Sequence, residues 1–252
     1  MVPRHWRCRI VLPSRHPAVA DLSAVPIVAL DVPSEHEAMA LVRELGPLAG
    51  WYKVGGELFT ACGPSVVRAI RASGRQVFLD LKFHDIPNTV RASARSAAGL
   101  GASMITVHAS GGATMVRAAV EGAGPTCHVM GVTVLTSMDA PSLAETWGRV
   151  ESGVELLGEV VRLAGICAGA GTHGVVCSGH EASAIVERFS GLNPLVPGIR
   201  FAEGSSHDQV RVMTPRRAVE VGARYLVLGR AVTAAPDPRS AMQRVLDDIR
   251  AT

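Results

Sequence analysis

The sequence predicts an α/β fold, a (β/α)8 TIM barrel forming a single domain. Three observations lead there. Short apolar, β-branched runs alternate eight times with Ala-, Leu- and Arg-rich segments of helical period, and no large insertion breaks the rhythm. The runs are apolar almost throughout, the pattern of parallel strands buried on both faces. No Gly-x-Gly-x-x-Gly follows the first run, which argues against an open doubly wound sheet built for a dinucleotide. A length of 252 residues is usual for one such barrel. Hydrophobic residues make up 48% of the chain but aromatics only 4%, so Ala, Val, Leu and Ile must fill the core.

The elements follow in order. The first strand is read at "PIVALDV" (26–32) and its helix at "SEHEAMALVREL" (34–45). "WYKVG" (51–55) precedes "PSVVRAIRAS" (64–73), and "QVFLDLKF" (76–83) precedes "TVRASARSAAGL" (89–100). "MITVHA" (104–109) pairs with "GATMVRAAVEG" (112–122), and "HVMGVTVL" (128–135) with "GVELLGEVVRLAGICAG" (153–169). "GVVCS" (174–178), "PLVPGI" (194–199) and "YLVLGR" (225–230) are the last three strands. Their helices are "EASAIVERF" (181–189), "TPRRAVEVG" (214–222) and "DPRSAMQRVLDDIRA" (237–251).

Residues 1–25 differ in character: Arg-rich, with three prolines and no strand or helix period, they read as a flexible extension preceding a barrel domain at 26–252. Their four arginines against Asp21 account for the whole formal net charge of +3. The remainder is balanced, with no basic stripe interleaved with aromatics, so the basic pI of about 8.8 does not point to nucleic acid. No apolar run is long enough to span a bilayer. The five cysteines are scattered, odd in number and without a Cys-x-x-Cys pair, which suits a reducing, cytoplasmic setting rather than a disulfide framework or a zinc site.

Function in such barrels lies at the C-terminal ends of the strands. The polar residues there are Asp31, Lys53, Asp80, Lys82, His108, Thr136, Ser137, Ser178, Arg200 and Arg230. Asp80 and Lys82 stand two apart, so on a strand they share a side. Of 25 Lys plus Arg residues, 23 are Arg; the only lysines are Lys53 and Lys82, both at strand ends. A guanidinium cannot readily give up a proton, so the retention of Lys at two such positions points to chemistry. Strands seven and eight end in "PGIR" (197–200) and "GR" (229–230), where barrels commonly dock a phosphate. Glycine lets the anion approach backbone N–H groups and Arg supplies a bidentate fork. Between them "FAEGSSHDQV" (201–210) reads as a polar loop able to close over a ligand.

"FLDLKFHDIPNTV" resembles the D-x-K-x-x-D-I-x-x-T signature of the orotidine 5′-phosphate decarboxylase (OMP decarboxylase) family, and "ALDV", "YKVGGELF", "TVHASGG", "VTVLTSM", "VVCSGHEA", "VPGIR", "DQVRVMTP" and "VLGRAVT" match it in family order. The match runs from about Pro26 to the end; a threonine common in relatives is replaced by Val196. The resemblance implies decarboxylation of orotidine 5′-phosphate to UMP, without a cofactor or metal. It places an alternating charge network on Lys53, Asp80, Lys82 and Asp85, with Lys82 as proton donor to C6. Asp31 and Lys53 would hold the ribose, helped by Asp85, Ile86 and Thr89. Thr136 and Ser137 would face the pyrimidine, while Pro197, Gly198, Arg200, Gln209, Gly229 and Arg230 would hold the 5′-phosphate. It also implies a homodimer with shared active sites, in which Asp85, Ile86 and Thr89 reach the partner's site. Two other readings stay open. One is a metal-dependent sugar-phosphate decarboxylase or aldolase of the same superfamily. The other is a catalytically silent nucleotide-binding barrel, expected to have lost Asp80 or Lys82.

Overall fold

The computed structural model describes residues 22–148, 150, 153, 155–201 and 213–252. Eight parallel strands close into a barrel in sequence order: β1 (Val25–Ala29), β2 (Trp51–Gly55), β3 (Gln76–Phe83), β4 (Met104–His108), β5 (His128–Val132), β6 (Gly174–Val176), β7 (Asn193–Val196) and β8 (Tyr225–Leu228), with β8 pairing back onto β1. Around them lie α1 (Glu35–Leu45), α2 (Gly56–Cys62), α3 (Pro64–Ala72), α4 (Pro87–Gly99), α5 (Gly112–Ala123) and α6 (Ala140–Thr146). The ring is completed by α7 (Leu156–Ala170), α8 (Ala182–Arg188), α9 (Pro215–Glu220), α10 (Arg230–Thr233) and α11 (Pro238–Arg250).

Period-two alternation divides the core. Val28 and Leu30 face the helices, whereas Ile27 and Ala29 join Phe78, Met104, Met130, Leu195, Tyr225 and Val227 inside the barrel. Local chemistry sets the helix starts. Ser34 Oγ accepts from Glu37 N and donates to the Glu37 carboxylate, an N-cap that opens α1. Asp237 accepts from Ser240 N ahead of Pro238 and opens α11 in the same manner.

Several strands are shorter than the sequence suggests. β5 stops at Val132 rather than 135, and β7 at Val196 rather than 199. Pro197 has no N–H for the ladder and Gly198 turns to φ +74, so "PGIR" leaves the sheet and becomes rim. The short helices α2, α6 and α10 were not predicted: each is an additional turn or two beyond the one helix expected after each strand, and at four to seven residues none shows a period of its own.

The barrel floor carries an aromatic layer. His128 and His173 stack with centroids 3.6 Å apart and planes 19° from parallel. His173 Nε2 lies 2.8 Å from the Tyr225 hydroxyl, and Trp51 meets Tyr225 edge-on. Burial lowers the pKa of both imidazoles; that of His173 falls to about 3, through desolvation first and then the neighbouring His128 and Arg224.

Candidate active site

One layer above the apolar barrel interior the side chains turn polar. Lys53 follows Trp51 by two on β2 and Asp80 follows Phe78 by two on β3, so both project inward at the C-terminal end. Parallel pairing then makes a row of them. Lys53 Nζ donates to Asp31 Oδ1 at 2.8 Å and stands 4.0 Å from Asp80 Oδ2. Lys82 Nζ donates to both oxygens of Asp80, each at 2.9 Å. The order Asp31–Lys53–Asp80–Lys82 is a chain of alternating charge. Its two middle members are only 13% exposed, while Lys82 remains 38% exposed at the open end. Charged hydrogen bonds of this kind are each worth about 1.5–3 kcal/mol, which offsets part of the desolvation of the ions.

Lys82 does not reach Asp80 by simple strand alternation. Between Leu79 and Phe83 the β3–β4 register shifts, and Lys82 adopts φ +50, the left-handed region that costs a non-glycine residue about 1–2 kcal/mol. The amide of Lys82 donates to Thr106 Oγ1 at 2.9 Å, and that hydroxyl donates to Asp80 Oδ1 at 2.9 Å. Thr106, fully buried on β4, was missed by sequence reasoning because a β-branched residue in an apolar run reads as core. Gly55 was missed as well: a Cβ there would sit 2.9 Å from Lys53 Nζ and 3.6 Å from Asp31 Oδ1, crowding the pair.

A cavity of ≈180 Å³ opens over the row. Lys53, Asp80, Lys82 and Thr136 line its polar side, and Phe78, Val132, Val134, Leu135, Val176, Leu195, Pro197 and Val227 its apolar side. Ser137 is exposed next to Thr136 on the same rim. The ends of β7 and β8 are neighbours, which sets Gly198 and Arg200 on the strand end adjoining Gly229 and Arg230. Arg230 is exposed as the first residue of α10, and Arg200 is tied through its amide to Met213 O. Gln209 lies outside the described residues.

Three expected residues stand apart from the row. Asp85 is exposed, and its Oδ1 accepts only from the adjacent Ile86 amide, at 2.6 Å; no ion pair engages it among the described residues. Ile86 is 67% exposed, a high value for isoleucine, and Thr89 is exposed in the first turn of α4. His108 and His84 meet with centroids 5.3 Å apart behind the bulge. The His108 pKa is lowered, chiefly by burial, then by His84 and Lys82, against a smaller opposing pull from Asp80. Among the described residues no group of three or more His, Cys, Asp or Glu side chains is placed to hold a metal ion.

Fold and mouth together define a class: a (β/α)8 barrel with a lysine–carboxylate charge row under a half-apolar cavity at the C-terminal end of its strands. Within that class the chain belongs to the orotidine 5′-phosphate decarboxylase / HUMPS family, whose model matches residues 25–245. It is 51% identical over 223 residues to an orotidine 5′-phosphate decarboxylase of Anaeromyxobacter sp. (strain K), covering 86% of this chain and 94% of the relative. A Pseudomonas aeruginosa enzyme of the same name is 43% identical over 227 residues, covering 88% of this chain and 96% of its own. Among solved structures, orotidine 5′-phosphate decarboxylase from Lactobacillus acidophilus superposes with TM-score 0.79 at 33% identity, over 91% of this chain and 99% of that one.

Proposed function

We propose that this chain decarboxylates orotidine 5′-phosphate to UMP and CO2, closing de novo pyrimidine biosynthesis as a cofactor-independent carboxy-lyase. The observation that carries this reading is the ammonium of Lys82, held by both oxygens of Asp80 beside a cavity with an apolar wall. Loss of CO2 from C6 of the pyrimidine leaves an electron pair in an sp² orbital that no neighbouring carbonyl can absorb. Stabilisation must then come from fixed charge, and a preorganised ammonium supplies it without reorganisation during the reaction.

In this reading the 5′-phosphate docks on Pro197, Gly198, Arg200, Gly229 and Arg230, with Gln209 added. Asp31 and Lys53 take the ribose hydroxyls, and Thr136 and Ser137 face the ring edge. The substrate carboxylate is then directed toward Asp80, whose charge disfavours it, and toward the apolar wall, which accepts neutral CO2 more readily than an anion. The C6–carboxylate bond breaks, its electrons stay on C6, and Lys82 Nζ delivers a proton there. The neutral amine, 38% exposed, recovers its proton from solvent. Grip on the remote phosphate can be used to organise the reacting end.

Exposed Ile86 and the exposed carboxylate of Asp85, which makes no ion pair among the described residues, support a homodimer in which Asp85, Ile86 and Thr89 complete the partner's site across a two-fold axis. No helix among the described residues is long and apolar enough to cross a membrane, and four cysteines are free thiols, which agrees with a cytoplasmic location. The metal-dependent sugar-phosphate alternative is disfavoured because Asp80 is flanked by two ammonium groups that would repel a divalent cation. A silent barrel is disfavoured because Asp80 and Lys82 are both kept and hydrogen-bonded to each other.

The test is loss of orotidine 5′-phosphate absorbance on adding the purified protein in EDTA, with UMP identified as product. Activity should survive chelation and dialysis. Complete loss in EDTA, restored by Mg²⁺, would transfer the chain to the metal-dependent branch.

A further inference from the structure

We propose that Thr106 is a positioning residue for the proposed reaction, setting the backbone and side-chain pose from which Lys82 acts; this rests on the reading of Lys82 as proton donor. The register is the first observation. β3 takes four steps from Leu79 to Phe83 while β4 takes two from Ile105 to Val107, so surplus β3 residues arch over Thr106. Lys82 lies in this arch at φ +50, the only positive-φ non-glycine residue among those described.

The hydrogen bonds are the second observation. A threonine hydroxyl offers one donor and can accept as well, and Thr106 uses both capacities. It accepts from the Lys82 amide at 2.9 Å and donates to Asp80 Oδ1 at 2.9 Å. The same Oδ1 receives Lys82 Nζ at 2.9 Å. The result is a closed loop: Lys82 main chain to Thr106, Thr106 to Asp80, Asp80 to Lys82 side chain. One hydroxyl therefore fixes the start of the lysine side chain and orients the carboxylate that holds its end. Thr106 is fully buried and lines no part of the cavity, so it acts through Lys82 and Asp80 and not by touching substrate. Its branched Cβ restricts χ1, which keeps Oγ1 aimed at both partners.

Thr106→Val keeps the shape and removes both hydrogen bonds; Thr106→Ser keeps the hydroxyl. Turnover of orotidine 5′-phosphate is measured per binding-competent site, with sites counted by UMP titration so that any misfolded fraction drops out. Thr106→Val should lower kcat on the order of 10²-fold, the scale of a small misplacement of a reacting group, with KM little changed. Thr106→Ser should recover most of it. If valine lowers the folded yield, Thr106→Ala removes the same hydroxyl without bulk and should show the same split. Unchanged kcat per site in Thr106→Val or Thr106→Ala overturns the proposal, as does a Thr106→Ser variant as slow as the valine. Wild-type protein that does not convert orotidine 5′-phosphate at all overturns the functional reading beneath it.

Discussion

Acidification from pH 8 to pH 5 should cost the fold about 2 kcal/mol through His173 alone. The ring lies flat on His128 at 3.6 Å and places Nε2 2.8 Å from the Tyr225 hydroxyl. Burial first, then His128 and Arg224, push its pKa from 6.5 to about 3. A base with a depressed folded pKa is neutral in the native state, so its contribution is complete above pH 6.5. It is lost as pH falls from there toward about 3, because the unfolded chain binds a proton that the folded one refuses. At about 1.36 kcal/mol per unit, the interval down to pH 5 gives the figure above. For a chain of this size each kcal/mol moves Tm by about 2–4 °C, so the shift is about 4–8 °C. The assay is thermal unfolding at both pH values and matched ionic strength, for wild type and His173→Gln. Glutamine can still hydrogen-bond Tyr225 but does not titrate. His108, also lowered by burial, titrates in the same sense in both proteins, so the difference reports His173 together with its coupling to the stacked His128. Equal acid-induced drops in Tm would refute the reasoning.

Two further outcomes follow from the geometry. If Asp85 completes the partner's site in the proposed homodimer, Lys82→Ala and Asp85→Ala, mixed equally and allowed to exchange subunits, should regain roughly a quarter of wild-type activity, since about half the dimers would be mixed and each would hold one intact site; a mixture as inactive as its parents, with exchange verified by mass-tagged subunits, would remove the shared site. Gly174→Ala should destabilise by about 1–3 kcal/mol, because the new Cβ would fall 2.0 Å from the Asn193 carbonyl oxygen, a backbone atom that cannot swing away; an unchanged denaturation midpoint would show that β6 and β7 adjust more freely than their packing indicates.

The barrel was legible because its strands are apolar on both faces and its helices keep their period. Strand order then put Asp31, Lys53 and Asp80 side by side, although 22 residues separate the first pair. Lysine in a chain that otherwise uses arginine marked both cationic positions of the row. The bulge was not legible: a register shift is a property of the β3–β4 pairing, so the left-handed Lys82 and its tether to Thr106 have no signature in either segment alone. The His128–His173 stack was hidden likewise, formed by residues 45 apart that meet only where β5 and β6 begin. α10 is four residues long, too short for any period, yet it determines where Arg230 stands.

The most direct measurement is single-turnover conversion of orotidine 5′-phosphate by Lys82→Arg under saturating enzyme, alongside UMP binding by the same protein. Arginine keeps the positive charge opposite Asp80 but stays protonated near neutral pH, so it cannot deliver a proton to C6. The rate should fall by about 10²–10⁴-fold, the usual contribution of a positioned acid, while UMP still binds. Near-normal conversion by this variant would contradict Lys82 as the donor.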